Sequence, residues 1–163
     1  MKAIQKVVII GGGTMGADLA ALMLQRRKPV VVKEISKELA DKVRENLYER
    51  IDGWKQRGRI NDSDAQTMRE LLAVTDNDQD LQNEGLLVIE AVPENIGLKQ
   101  RIFAKLEENL PQDAIFASNT SSLPITQLAE NMKDKSRLIG LHFFNPPTKM
   151  PLVEVILSRY SSD

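Results

Sequence analysis

The sequence predicts an α/β fold on a mainly parallel sheet, and three observations predict it. Largely apolar runs recur at 7–10, 30–34, 86–90 and 114–117 without polar alternation, as in strands covered on both faces. Stretches of helical periodicity separate them, and that alternation is what joins parallel strands by crossovers. The third observation is the first join, where Gly11, Gly13 and Gly16 follow Ile10 directly as G-x-G-x-x-G and a helix reads onward from Thr14 through Ala17, Leu19, Ala20 and Leu24.

Each element has its own reason. In the turn, Gly11 permits the tight bend, Gly13 lets the backbone approach a ligand, and Gly16 lets the helix pack close to the strand. Free N–H groups at the helix start form an anion site. An ordinary tight turn has the same spacing, so the second strand decides. It ends on Glu34, eighteen residues past Gly16, near the ~20 expected of the acid that hydrogen-bonds a ribose 2′-hydroxyl. Together these residues predict a Rossmann-type dinucleotide site made by Gly11, Gly12, Gly13, Thr14, Met15, Gly16 and Glu34. The acid repels a 2′-phosphate and favours NAD over NADP; Lys33 beside it works against that preference.

Residues 35–57 read as a long amphipathic helix, with Leu39, Val43, Leu47, Ile51 and Trp54 on one stripe and Gly58 as its terminator. Ser63 and Gln66 have capping-box spacing and place a second helix up to about residue 72. This helical hairpin, inserted after the second strand, is either a packed cover or a lid over a long ligand that sets Lys55, Arg57 or Arg59 against phosphates. A third strand follows at 73–76, a short helical connection at 78–83, and the fourth strand at 86–90. Asn95 caps a helix to about residue 110. A fifth strand at 114–117, a short helix at 124–132, a sixth strand at 138–142 and a last at 152–156 complete a doubly wound sheet. Pro146, Pro147 and Pro151 force extended or turning chain before the last strand.

The whole of 1–163 is expected to be one domain, since this length supports one sizeable core. Twenty-two basic and twenty-three acidic residues are mixed along the chain, which argues against nucleic acid and anionic membrane as partners. No cysteine and a single histidine exclude a disulfide scaffold, a thiol nucleophile, an iron–sulfur cluster and an ordinary zinc site, so no metal is expected. A redox role would rest on an organic cofactor. Met1 leads straight into the first strand and no apolar run approaches membrane-spanning length, so the expected setting is cytoplasmic.

In a doubly wound sheet the ligand lies outside the carboxyl ends of the strands, at the switch point between strands one and four. Each strand hands over to polar residues there: the glycines, Glu34, then Glu90 and Glu94, then residues 118–122, then His142 and Asn145. Taken singly, residues 119–122 could be a capped turn, Glu94 a solvated acid and His142 a satisfied core histidine. As the only imidazole, His142 is also the one side chain whose ordinary pKa suits acid–base work near neutrality, and Glu154 on the next strand could orient it. With a nicotinamide nearby, the implied reaction is hydride transfer coupled to proton transfer at an alcohol or ketone. Tyr48 lacks the lysine four residues on that a short-chain dehydrogenase would need; Asp52 stands there.

At these residues the sequence resembles the NAD-binding domain of the L-3-hydroxyacyl-CoA dehydrogenase family. The likeness is carried by Gly11-Gly-Gly-Thr-Met-Gly16, Val88-Ile-Glu-Ala-Val-Pro-Glu-Asn95, Phe116-Ala-Ser-Asn-Thr-Ser-Ser-Leu123, Gly140-Leu-His-Phe-Phe-Asn-Pro146 and Met150-Pro-Leu-Val-Glu-Val-Ile156. Residues 29–34 look more like the multifunctional fatty-acid β-oxidation proteins than the stand-alone enzymes. The resemblance implies that His142 is the base for the 3-hydroxyl, Glu154 its partner, and Ser121 a donor to the substrate oxygen that also approaches the nicotinamide. It implies that Glu94, Lys99 and Asn145 lie near the nicotinamide ribose and amide. Glu34 stands where the family usually has Asp, and the hairpin matches an insertion that contacts CoA.

The family continues into a helical domain that forms the dimer, closes the acyl cleft and supplies a further asparagine, whereas this chain stops at Asp163. Two hypotheses follow. One is a dehydrogenase module for (S)-3-hydroxyacyl-CoA that uses NAD and needs that helical domain as its partner in a homo-oligomer. The other is an NAD-binding or structural domain without turnover of its own.

Overall fold

The computed structural model describes residues 3–82 and 84–161; the expected limit of the short helical connection at Asn83 and the chain end at Asp163 lie outside them. In chain order the elements are β1 (Lys6–Ile10), α1 (Thr14–Gln25), β2 (Val30–Lys33), α2 (Lys37–Gln56), α3 (Asp62–Leu71), β3 (Leu72–Thr75), β4 (Leu86–Glu90), α4 (Ile96–Asn109), β5 (Ile115–Ser118), α5 (Ile125–Leu128), β6 (Leu138–Phe143) and β7 (Val153–Ile156). The strands form one sheet in the order β3-β2-β1-β4-β5-β6-β7. The first six run parallel, and β7 returns antiparallel along β6. The order reverses between β1 and β4, so the switch point falls where the sequence places it.

Alternate residues of the central strands feed two cores. Val7, Ile9, Val30, Val32 and Ile89 pack with α1, α2 and α3 on one face. Val8, Ile10, Val31, Val88 and Phe116 pack with α4 and α5 on the other. This two-sided burial is why the strands read as solid apolar runs. On α4 the buried residues Lys99, Phe103 and Leu106 share one face. Phe103 meets Phe116 of β5 edge-on at 6.3 Å between ring centroids, a contact worth ~1 kcal/mol beyond its buried area. That contact fixes the rotation of α4 and turns Lys99 toward the sheet.

The inserted hairpin is present as α2 and α3, but its second cap differs from the expectation. Asn61, not Ser63, caps α3: its side chain accepts from the Asp64 N–H while Asp64 reaches back to the Asn61 N–H. Both ends of the box lie two residues earlier than the Ser63–Gln66 spacing suggests, because Asn and Asp cap as well as Ser and Gln do. Ser36 caps α2, which therefore begins at Lys37 rather than at residue 35. The short helix expected over 124–132 is a single turn, Ile125–Leu128.

Candidate active site

At the end of β1 the chain bends through Gly11 at φ +93°, a backbone region open to glycine and strained for other residues. A Cβ at Gly16 would run into the Gly11 carbonyl, so only glycine lets α1 sit this close to the turn. A Cβ at Gly13 would meet nothing within 4 Å, so its Cα faces open space. Gly13 caps α1 without a side-chain hydrogen bond, and no acid stands in the first turn. The donors at the helix start are thus left for a ligand anion, and the positive end of the helix dipole favours one there. These features fit a dinucleotide pyrophosphate.

Glu34, just past β2, turns its carboxylate to the same turn: Oε1 accepts from the Gly12 N–H at 2.6 Å and Oε2 from the Ile35 N–H at 3.2 Å. It lines a cavity of about 640 Å³ together with Gly11, Gly13, Val92, Pro93 and Ile102. The lining is mostly apolar with a few polar groups, and its size suits an adenosine half. A second, shallower hollow on the α2 side of the turn is bordered by Thr14, Asn46 and Arg50.

Between β4 and β5 lies a buried polar network whose pairing the sequence did not reveal. Glu90 is 0% and Lys99 2% exposed. Lys99 Nζ pairs with Glu90 Oε2 at 3.0 Å and Glu94 Oε2 at 2.6 Å. Glu90 also accepts from Ser118 Oγ at 2.6 Å and the Val92 N–H at 2.7 Å. Glu94 accepts from the Thr120 hydroxyl and, at 3.3 Å, from Ser122 Oγ. Partial burial pushes the Glu94 carboxyl up, yet the bonds from Lys99 and Thr120 outweigh it and hold Glu94 below the ordinary glutamate value. Lys99 therefore stands behind Glu94 and anchors it, with Nζ engaged by two carboxylates. An acid closing an apolar strand, with a lysine one turn into the next helix, is the signal that could have found this network.

The same network holds the loop that carries Ser121. Glu90 anchors Ser118, the last residue of β5 from which the loop departs, and the Asn119 N–H donates to the Glu90 carbonyl at 2.9 Å. Asn119 Oδ1 in turn accepts from the Phe143 N–H at 2.9 Å, tying the loop to β6 beside His142. Ser121 is exposed on this loop, and Asn145 is exposed two residues beyond β6.

His142 and Glu154 are directly opposite in the β6–β7 ladder, so both side chains project from one face of the sheet. Their contact is His142 Nδ1 to Glu154 Oε2 at 2.8 Å, with the imidazole 22% and the carboxylate 53% exposed. When Nδ1–H donates to that carboxylate, the lone pair sits on Nε2, the tautomer a general base requires. The Phe144 ring lies 4.9 Å from the imidazole, centroid to centroid. The strand edge is open on both sides: Val153 and Val155, which alternate with Glu154 and so face the other side of the sheet, are more than 40% exposed, as are Leu152 and Leu157 just outside the strand.

The hairpin cations divide. Lys55 is paired with Asp62 at 2.5 Å. Arg57 and Arg59 border a hollow with Arg50, Trp54 and Lys149, which joins the hairpin to the loop after β6. No group of three or more metal-ligating side chains occurs among the described residues, and no helix among them is long and apolar enough to cross a membrane.

Residues 6–163 match the family described as 3-hydroxyacyl-CoA dehydrogenase, NAD binding domain. The chain is 36% identical over 165 residues to the peroxisomal fatty acid beta-oxidation multifunctional protein MFP2 of Arabidopsis thaliana, covering 99% of this chain and 22% of that protein. To the fatty acid oxidation complex subunit alpha of Aliivibrio fischeri it is 38% identical over 164 residues, covering 99% and 24%. The crystal structure of M. tuberculosis FadB2 superposes with a TM-score of 0.92 at 34% identity, covering 99% of this chain and 57% of that one. The chain thus spans about a quarter or less of the multifunctional relatives and just over half of FadB2.

Proposed function

The chain belongs to the NAD-binding domain family of 3-hydroxyacyl-CoA dehydrogenases, and from that membership we propose that it carries the cofactor half and the catalytic base of an enzyme oxidising (S)-3-hydroxyacyl-CoA to 3-ketoacyl-CoA. The observation that carries the reading is the His142–Glu154 pair, set on the sheet edge that also holds the glycine turn and Glu34. A domain that only bound the cofactor would have no use for an imidazole held in the basic tautomer.

NAD, when bound, accepts the hydride from the substrate's 3-carbon. The chain's own residues do the rest. His142 Nε2 takes the proton of the 3-hydroxyl, and Glu154 stabilises the imidazolium formed as the alcohol becomes a ketone. Ser121 donates to the substrate oxygen. Glu94, held by Lys99 and Thr120, and Asn145 receive the nicotinamide ribose and amide. Glu34 receives the adenine ribose, and the helix start of α1 the pyrophosphate. The acyl-CoA crosses the open β6–β7 face, with its phosphates toward the Arg57 and Arg59 hollow. The exposed apolar residues of β7 pack, on this reading, against a helical domain of the full-length protein, which completes the cleft and a homo-oligomer.

The test is His142→Gln in the full-length protein, with acetoacetyl-CoA as substrate. Turnover falls by roughly 10²- to 10⁴-fold, the usual worth of a positioned general base, while NADH affinity stays within about a factor of two. An equal loss of NADH affinity would make the histidine a structural residue and remove the assignment.

A further inference from the structure

We propose that Asp78 is a second determinant of cofactor choice: it occupies the two lysines at the adenosine end of the cavity and so denies a 2′-phosphate the cations it would need. The proposal rests on the NAD reading above and explains a feature that reading leaves over. Lys33 sits beside Glu34, and a lysine in that place should welcome the phosphate that Glu34 repels.

The geometry shows where its charge goes. Asp78 opens the 3₁₀ turn Asp78–Leu81 that follows β3, and Asn77 caps the turn by accepting from the Gln79 N–H at 3.1 Å. One carboxylate oxygen of Asp78 lies 3.3 Å from Lys33 Nζ and the other 2.5 Å from Lys105 Nζ on α4. Lys33 Nζ also donates to the Glu34 carbonyl at 2.7 Å, so its ammonium is engaged from two sides with the side chain only 13% exposed. Asp78, Lys33, Lys105 and Glu34 all line the same cavity as the glycine turn. The hydrogen bond from Lys105 outweighs burial and, with Lys33, holds the Asp78 carboxyl below its ordinary value.

Two cations and two carboxylates therefore meet at this end of the cavity, and their charges cancel. A phosphate on the 2′-oxygen would face Glu34 directly and find both ammonium groups already matched. Removing the Asp78 charge turns the site from neutral to net positive without touching any group that holds an unphosphorylated ribose. Glu34 is then the near determinant, by repulsion and hydrogen bonding, and Asp78 the remote one, by withholding cations.

The experiment is calorimetric measurement of NADH and NADPH dissociation constants for this chain and four variants. Asp78→Asn raises NADPH affinity relative to NADH by roughly 5- to 30-fold, the size expected when two partly exposed cations lose a shared partner. Asp80→Asn is the charge control. Asp80 is on the same turn, but its carboxylate bonds the Thr75 hydroxyl and lines no part of the cavity; this variant shifts the ratio by less than about twofold. Adding Lys33→Met to Asp78→Asn removes most of the gain. Glu34→Gln also shifts the ratio toward NADPH, and by itself leaves the lysines engaged. An unmoved ratio in Asp78→Asn, an equal shift in Asp80→Asn, or a gain that survives Lys33→Met each overturns the proposal while the cofactor assignment stands. Failure of the folded parent chain to bind either dinucleotide overturns that assignment and the proposal with it.

Discussion

The two halves of the sheet edge are finished to different degrees. On the cofactor side, all of β1 past Lys6 is buried, the glycine turn is held by close backbone packing, and Glu34 borders a formed, half-open cavity. On the side that carries His142, β7 is exposed along its whole length, and the His142–Glu154 pair stands on this open strand edge. The lesson is about what one chain can preorganise. A ligand gripped by backbone donors and a buried carboxylate network is served by local packing. A substrate that must be pressed against a nicotinamide needs a wall on each side, because losing near-attack geometry forfeits several kcal/mol.

The sharpest way to break that comparison is at Lys99, which lies between the halves. Lys99→Met leaves Glu90 buried without its cation, and we expect a loss of about 3 kcal/mol in urea unfolding, at the low end for breaking a buried pair. Adding Glu90→Gln should restore much of it. A loss below ~1 kcal/mol in the single variant would mean that the network does not hold this edge together.

A smaller effect is expected on the open side. Glu154→Gln in the full-length protein should lower turnover roughly tenfold, since the carboxylate is half exposed and solvent shares its work. Folding and NADH affinity should not follow. A matching fall in either would make Glu154 a structural strut of the β6–β7 pair.

The smallest effect is on pH dependence. The Glu94 carboxyl is held below its ordinary value of 4.5 in the folded chain, so its contribution is present above that pH and is lost as pH falls through the lowered folded value. The stability difference between the parent chain and Glu94→Gln should therefore be greatest near neutrality and shrink below pH 4.5. A difference that grows in acid would reverse the sign and contradict the pairing with Lys99.

Much of this was readable in the sequence, for a physical reason. Strands covered on both faces leave unbroken apolar runs, and a glycine turn between strand and helix has few alternatives. His142 was visible as the lone imidazole, and the return strand put Glu154 within plausible reach. The contact itself needed the antiparallel register that sets the two residues opposite one another. The Glu90–Ser118 and Lys33–Asp78 pairings were invisible because they join residues distant in sequence, and nothing local marks one acid as buried and the next as solvated. The α3 cap is ambiguous in the sequence because Asn61–Asp64 and Ser63–Gln66 both have capping chemistry at the same spacing.

The central claim is that the cofactor half is complete within this chain. Calorimetric titration of the chain by itself with NADH tests it most directly. One-to-one binding, with an affinity close to that of a relative that includes the helical domain, is the predicted result; a folded chain that takes up no NADH would contradict it.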